Sequence, residues 1–175
     1  MRQHVYANAF TRLLSTTRRS VAVYDLKSEH PEKPRYRSTA KTGKHADPVW
    51  QVRWQPDDAE KKANFCSVSA DGRVTQWTLV KNEIQHSDVI TLAAEFGGDA
   101  TDARRMESGT GFAFNNKVEQ LFLVATEEGA IHKCSKAYSS KYLYTYRAHD
   151  MACYTVAWNE FHPRVFASCS AGVLV

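Results

Sequence analysis

The chain has 175 residues, 43% of them hydrophobic and 24% charged, with a formal net charge of +4. That is long enough for one domain with a packed core and too apolar for a disordered protein. No apolar run approaches the roughly 18 to 20 residues that a bilayer-spanning helix requires, so a membrane-spanning role is not expected.

The positive charge is concentrated near the start. Residues 1–44 hold ten Lys or Arg against three acids, leaving thirteen against sixteen in the remainder. The first twenty residues, MRQHVYANAFTRLLSTTRRS, carry four arginines and no acid. Their composition imitates a mitochondrial transit peptide, but the segment is short and its apolar face is loose, so the expectation over residues 1–20 is a poorly ordered basic leader.

From Ser20 the pattern changes to short β-branched and aromatic runs separated by turn signals, which reads as an all-β chain. Expected strands are 21–26, 49–54, 65–69, 74–79, 89–92, 111–114, 121–126, 131–134, 142–146, 155–158 and 165–170. The four cysteines, Cys66, Cys134, Cys153 and Cys169, lie inside such runs and show no CxxC pair. Buried reduced thiols are expected, and neither a metal nor a cofactor site.

The strands repeat. His45 is followed at seven and nine residues by Val52 and Trp54, and His149 by Val156 and Trp158 at the same offsets. Between them, GFAF at 111–114 supplies the counterpart of a middle unit. The second half of each unit recurs as NFCSVSADGRVTQW at 64–77, LFLVATEEGAIHKC at 121–134 and VFASCSAG at 165–172. Tyr24, in VAVYDLK, precedes Trp77 at the equivalent place of an earlier unit. A fixed period of this kind signals a repeat architecture, with the long polar stretches between units placed in loops.

These units resemble WD repeats. In that family a histidine before the first strand, a Ser or Thr on the second, an Asp in the tight turn and a Trp on the third form a hydrogen-bonded chain, and His45, Ser69, Asp71 and Trp77 hold those stations here, with His149 matching His45 in a later unit. The resemblance implies an all-β fold, a partial WD40 β-propeller of about three incomplete blades spanning 21–175, with blade pieces near 21–48, 49–92, 109–146 and 149–175. In the middle unit Glu128 replaces the Asp, Cys134 replaces the Trp and no histidine precedes the first strand, so its polar chain is expected to be missing. The chain stops at SCSAGVLV, where a further unit would continue, and is expected to be a fragment.

A Ser-His-Asp hydrolase is not expected, because Ser69 falls in a strand and no GxSxG elbow occurs; KTGK at 41–44 lacks the frame of a phosphate-binding loop. Beyond the repeat itself, GKHADPVWQVRWQ, FCSVSADGRVTQWTLVKNE, LFLVATEEGAIHKCSKAYSS and YRAHDMACYTVAWNEFHPRVF resemble the intermediate chains of axonemal outer-arm dynein. That resemblance implies a non-catalytic scaffold in the ciliary axoneme, docked on the dynein heavy chain beside a second intermediate chain, with dynein light chains nearby and the microtubule reached through the complex. No small-molecule substrate is implied. Two alternatives stay open: another WD scaffold such as the cytoplasmic dynein intermediate chain, and a basic nucleic-acid-binding arm in which Arg35 and Arg37 flank Tyr36.

Overall fold

A computed structural model describes residues 19–55, 63–81, 83–93 and 106–172, together with the strand backbone of residues 7–8 and 11–15. Four antiparallel sheets follow one another along the chain, each a simple meander. The first holds β1 (Ala7–Asn8), β2 (Thr11–Ser15), β3 (Val21–Asp25) and β4 (Pro34–Arg37). The second holds β5 (Val49–Gln55), β6 (Asn64–Ser69), β7 (Arg73–Val80) and β8 (Glu83–Thr91). The third holds β9 (Gly109–Phe114), β10 (Leu121–Thr126), β11 (Ala130–Ser135) and β12 (Tyr144–Arg147), and a two-stranded sheet of β13 (Cys153–Trp158) and β14 (Phe166–Ser170) completes the series. The only helical element among the described residues is one 3-10 turn, Ala40–Thr42. No helix among them is long and apolar enough to cross a membrane.

Pairing registers repeat from sheet to sheet. Trp54 lies opposite Phe65, Phe114 opposite Phe122 and Trp158 opposite Phe166 on successive inner hairpins. Likewise Phe65 faces Trp77 as Phe122 faces Cys134. The sheets stack face to face as the blades of a partial β-propeller.

Stacking explains why the middle strands read as unbroken apolar runs instead of alternating ones. Side chains along a strand point to opposite faces in turn. Phe65 on β6 packs toward the first blade with Val21, Val23 and Trp77, whereas its neighbours Cys66 and Val68 pack toward the third with Phe112, Phe122 and Val124. β10 does the same, sending Phe122 and Val124 one way and Leu123 and Ala125 the other, against Cys153 and Val156. On β13 and β14 alternation returns: Cys153 and Val156 are buried, while Tyr154, Ala157, Ala167 and Cys169 are exposed.

Three strands were not legible as strands. The basic leader expected over 1–20 is where β1 and β2 lie, although residues 1–6, 9–10 and 16–18 fall outside the described residues. The reason is backbone pairing: Val21, Ala22 and Val23 are buried, so β3 needs hydrogen-bonded neighbours on both sides, and β2 and β4 supply them. β4 carries PRYR, a mostly exposed outer strand with no apolar alternation. β8 extends back to Glu83 for the same reason, since its exposed stretch is polar and is placed by its ladder to β7.

In the second and third blades the hairpin turn between the second and third strands meets the segment that enters the next blade. Gly72 has φ +78°, and a Cβ there would lie 2.9 Å from the Glu107 carbonyl oxygen. Gly129 has φ +86°, and a Cβ there would lie 2.2 Å from the His149 carbonyl and 2.8 Å from that of Met151. Left-handed backbone alone costs a non-glycine residue about 1 to 3 kcal/mol, and backbone carbonyls obstruct a side chain at both positions, far more closely at Gly129. Gly129→Ala is therefore expected to lower stability by more than Gly72→Ala, by at least about 2 kcal/mol in chemical denaturation; equal midpoints for wild type and Gly129→Ala would contradict this interface.

Candidate functional site

The second blade contains a buried polar relay that links its entry segment to three of its strands. The 3-10 turn at Ala40–Thr42 ends on Gly43 in the left-handed region, which swings the chain so that His45 enters the sheet before β5. The His45 side chain is fully buried. Its Nδ1 lies 3.0 and 3.2 Å from the two Asp71 carboxylate oxygens, and its Nε2 lies 2.7 Å from Ser67 Oγ on β6. Trp77 Nε1 on β7 donates to the same Ser67 oxygen at 2.7 Å.

Donor counting orders the relay. Indole N–H can only donate and carboxylate only accept. In the neutral imidazole the carboxylate takes His45 Nδ1–H, which leaves Nε2 to accept from Ser67, whose oxygen accepts from Trp77. Every polar atom in the line then has a partner, as burial demands.

Asp71, in the turn between β6 and β7, is the hub. It accepts from the backbone N–H groups of Ala46 (2.8 Å) and Arg73 (3.1 Å), and from the Arg73 guanidinium at 3.1 and 3.0 Å. Burial by itself would push this carboxyl up; the hydrogen bonds from His45, Ala46 and Arg73 outweigh it and hold the group well below the usual carboxylate range. Arg73 also reaches Asp88 at 3.4 Å, and Asp88 accepts from Thr75 on β7 at 2.7 Å, which carries the network to the outer strand.

The structure brings His45, Asp71 and Trp77 together, with Ser67 as the serine between them. Ser69, the residue expected there, is also buried but belongs to the turn: its Oγ donates to the Asp47 carbonyl (3.0 Å) and accepts from Asp71 N–H (3.2 Å). Both serines point to one face of β6, and the Trp77 indole, opposite Phe65, reaches the nearer one. The same pair recurs on β14. His149 Nε2 lies 2.9 Å from Ser168 Oγ, while Ser170 Oγ donates to the Met151 carbonyl (3.1 Å) and accepts from Gly172 N–H (3.1 Å). A sequence signal for Ser67 existed in this repetition, since SVS and SCS place two serines at the same offsets from a shared phenylalanine.

The third blade, expected to lack a polar chain, has one made from other residues. Glu107 stands in the entry segment and His132 on β11, with Nε2 and Oε2 2.5 Å apart. Neither was legible as a pair, because nothing in their spacing matches the His-Asp pattern of the second blade.

Chemically, the Ser67, His45 and Asp71 line has the order of a nucleophilic triad, but its serine has no accessible surface and its oxygen is capped by an indole N–H. A hydroxyl placed so cannot reach a substrate. Among the described residues no group of three His, Cys, Asp or Glu side chains could hold a metal ion. Cys66 and Cys134 face each other's core between the second and third blades; burial pushes the Cys66 thiol up to about 12 and the Cys134 thiol up as well, so both are unreactive thiols.

Two outcomes follow for the relay. Ser67→Ala strands two buried side-chain groups, and Ser69→Ala two groups at a turn that water can reach, so Ser67→Ala is expected to cost about 2 to 3 kcal/mol and Ser69→Ala about 1 in denaturant titrations. Because the Asp71 carboxyl is depressed in the folded state, its stabilisation is complete above the unfolded value near 4 and is lost as pH falls below it. The stability gap between wild type and Asp71→Asn should thus be wide at pH 7 and narrow progressively below about pH 4; a gap independent of pH would rule out Asp71 as the charged hub.

No family model matches the chain. Among characterised proteins, it is 55% identical over 156 residues to the ciliary dynein intermediate chain 2 of Heliocidaris crassispina, an alignment covering 87% of this chain and 22% of that one. It is 53% identical over 156 residues to dynein axonemal intermediate chain 1 of Bos taurus, with the same coverage of 87% and 22%. It is 45% identical over 158 residues to the 78 kDa intermediate chain of the flagellar outer arm dynein of Chlamydomonas reinhardtii, covering 86% of this chain and 23% of that one. The chain spans little more than a fifth of the length of these relatives. It is thus homologous, over most of its own length, to the axonemal dynein intermediate chains.

Proposed function

We propose that this chain is a non-catalytic scaffold subunit of axonemal outer-arm dynein, located in the ciliary axoneme, where it docks on a dynein heavy chain and supports microtubule-based movement. The observation that carries the reading is 55% identity across 87% of the chain with a ciliary dynein intermediate chain. The buried state of the Ser67, His45 and Asp71 line supports a structural role for the residues that most resemble a catalytic set. Stacked rigid sheets suit docking because they hold turns and outer strands at fixed positions on a broad surface. Further partners under this reading are a second intermediate chain and dynein light chains, with the microtubule contacted through the assembled motor.

The test is affinity capture with the tagged chain from ciliated-tissue extract, read by mass spectrometry. Axonemal outer-arm heavy chains should be enriched over an unrelated propeller used as control. Enrichment of cytoplasmic dynein heavy chain without axonemal ones, or of no dynein subunit, would overturn the assignment.

A further inference from the structure

The Glu107 and His132 pair lies outside the repeat chemistry of the second blade, and the residues around it cross from one blade to the next. Both side chains are nearly buried, His132 at 3% and Glu107 at 11% exposure. His132 is held at its second nitrogen by Thr145 Oγ1 on β12, 3.0 Å from Nδ1. With both nitrogens engaged, the imidazole plane is fixed, and the Tyr142 ring stacks on it with centroids 3.9 Å apart and planes 17° from parallel.

Tyr142 then reaches the end of the second blade. Its hydroxyl accepts from Ala93 N–H at 2.7 Å and donates to the Ala93 carbonyl at 3.1 Å, so one phenol satisfies both polar groups of one residue. Ala93 is bridged to Met106, and Glu107 N–H donates to the Leu92 carbonyl at 3.3 Å. The contacts close on themselves: Ala93 to the Met106–Glu107 segment, Glu107 to His132, His132 to Tyr142, and Tyr142 back to Ala93.

We propose that Glu107, His132 and Tyr142 form a clasp that fastens the end of the second blade to the third and holds together the two ends of the crossover between them. The relay around Asp71 ties strands of one sheet to each other; the clasp ties two sheets. Residues 94–105 separate Ala93 from Met106, and bringing together two points so far apart along the chain costs entropy that local pairing must offset. Tyr142 makes the direct contact. Glu107 is a positioning residue, which acts by orienting His132 under the tyrosine ring.

Hydrogen exchange on the full chain tests this residue by residue, because the Ala93 amide donates to the hydroxyl in question. Tyr142→Phe removes that hydroxyl and keeps the ring. It should accelerate Ala93 exchange about fivefold to thirtyfold, the factor expected from losing one or two net hydrogen bonds, while amides of β6 stay unchanged. Glu107→Ala should accelerate Ala93 in the same direction, and Glu107→Gln less, since an amide can still bond to His132. The Glu107→Ala, Tyr142→Phe double variant should exchange at Ala93 no faster than Tyr142→Phe alone, because the two residues act in series. Unchanged Ala93 exchange in Tyr142→Phe, uniform acceleration across the chain, or additive effects in the double variant would each overturn the clasp.

Discussion

A sheet with two apolar faces has to be covered on both, and in this chain the second and third blades are covered by their neighbours. The largest fully buried side chains, Trp77, Phe65, Phe112 and Phe122, all lie in the gaps between blades. Burying each such side chain contributes about 1.5 to 3 kcal/mol, whereas a hydrogen bond nets about 1. Inter-blade packing therefore supplies most of the stability, and the polar groups decide which strand lies where. The inter-blade contacts also include polar pins: the Gln51 side chain accepts from Phe112 N–H at 2.7 Å, Trp158 Nε1 donates to the Ala113 carbonyl at 3.0 Å, and Asn115 Nδ2 donates to the Pro163 carbonyl at 2.8 Å.

Against that background the relay of the second blade has a definite role. A buried polar group left without a partner costs more than a satisfied one contributes. Sliding β6 against β7 by one residue would take Ser67 away from both His45 and Trp77 and turn the apolar residues of β6 to the opposite faces. The relay thus makes neighbouring registers expensive, and Asp71 extends the same penalty to the entry segment through Ala46 and to β8 through Arg73 and Asp88. The third blade reaches a comparable end with a different set, in which an acid precedes the first strand and a histidine sits on the third. That exchange leaves the Trp77 station to Cys134, which simply fills the core.

Under the proposed scaffold role, internal polar groups used up by the fold are no loss. What remains outward is set by strand order: outer strands such as β4 and β12 and the turns at either end of each blade. Exposed side chains there that the fold does not engage, unlike Asp71, Gly72, Gly129 and Thr145, are open to change, which is how one architecture serves unrelated partners.

The repeat, the all-β class and the participation of His45, Asp71 and Trp77 were all legible in the residues, because burial and turn geometry restrict amino-acid type at fixed offsets. Ser67 was not distinguished from Ser69, since both lie on one face of β6 and only the reach of the Trp77 indole separates them. β2 and β4 were missed because their place in the sheet comes from the backbone ladder to β3, and a ladder leaves no mark on side-chain pattern. The Glu107, His132 and Tyr142 cluster belongs wholly to the tertiary level: its members come from an entry segment, an inner strand and a loop, and meet only when one blade settles on the next. Sequence fixes what a residue can bond to, and packing of distant segments decides what it does bond to, since hydrogen bonds act over a few ångströms and carry no memory of separation along the chain.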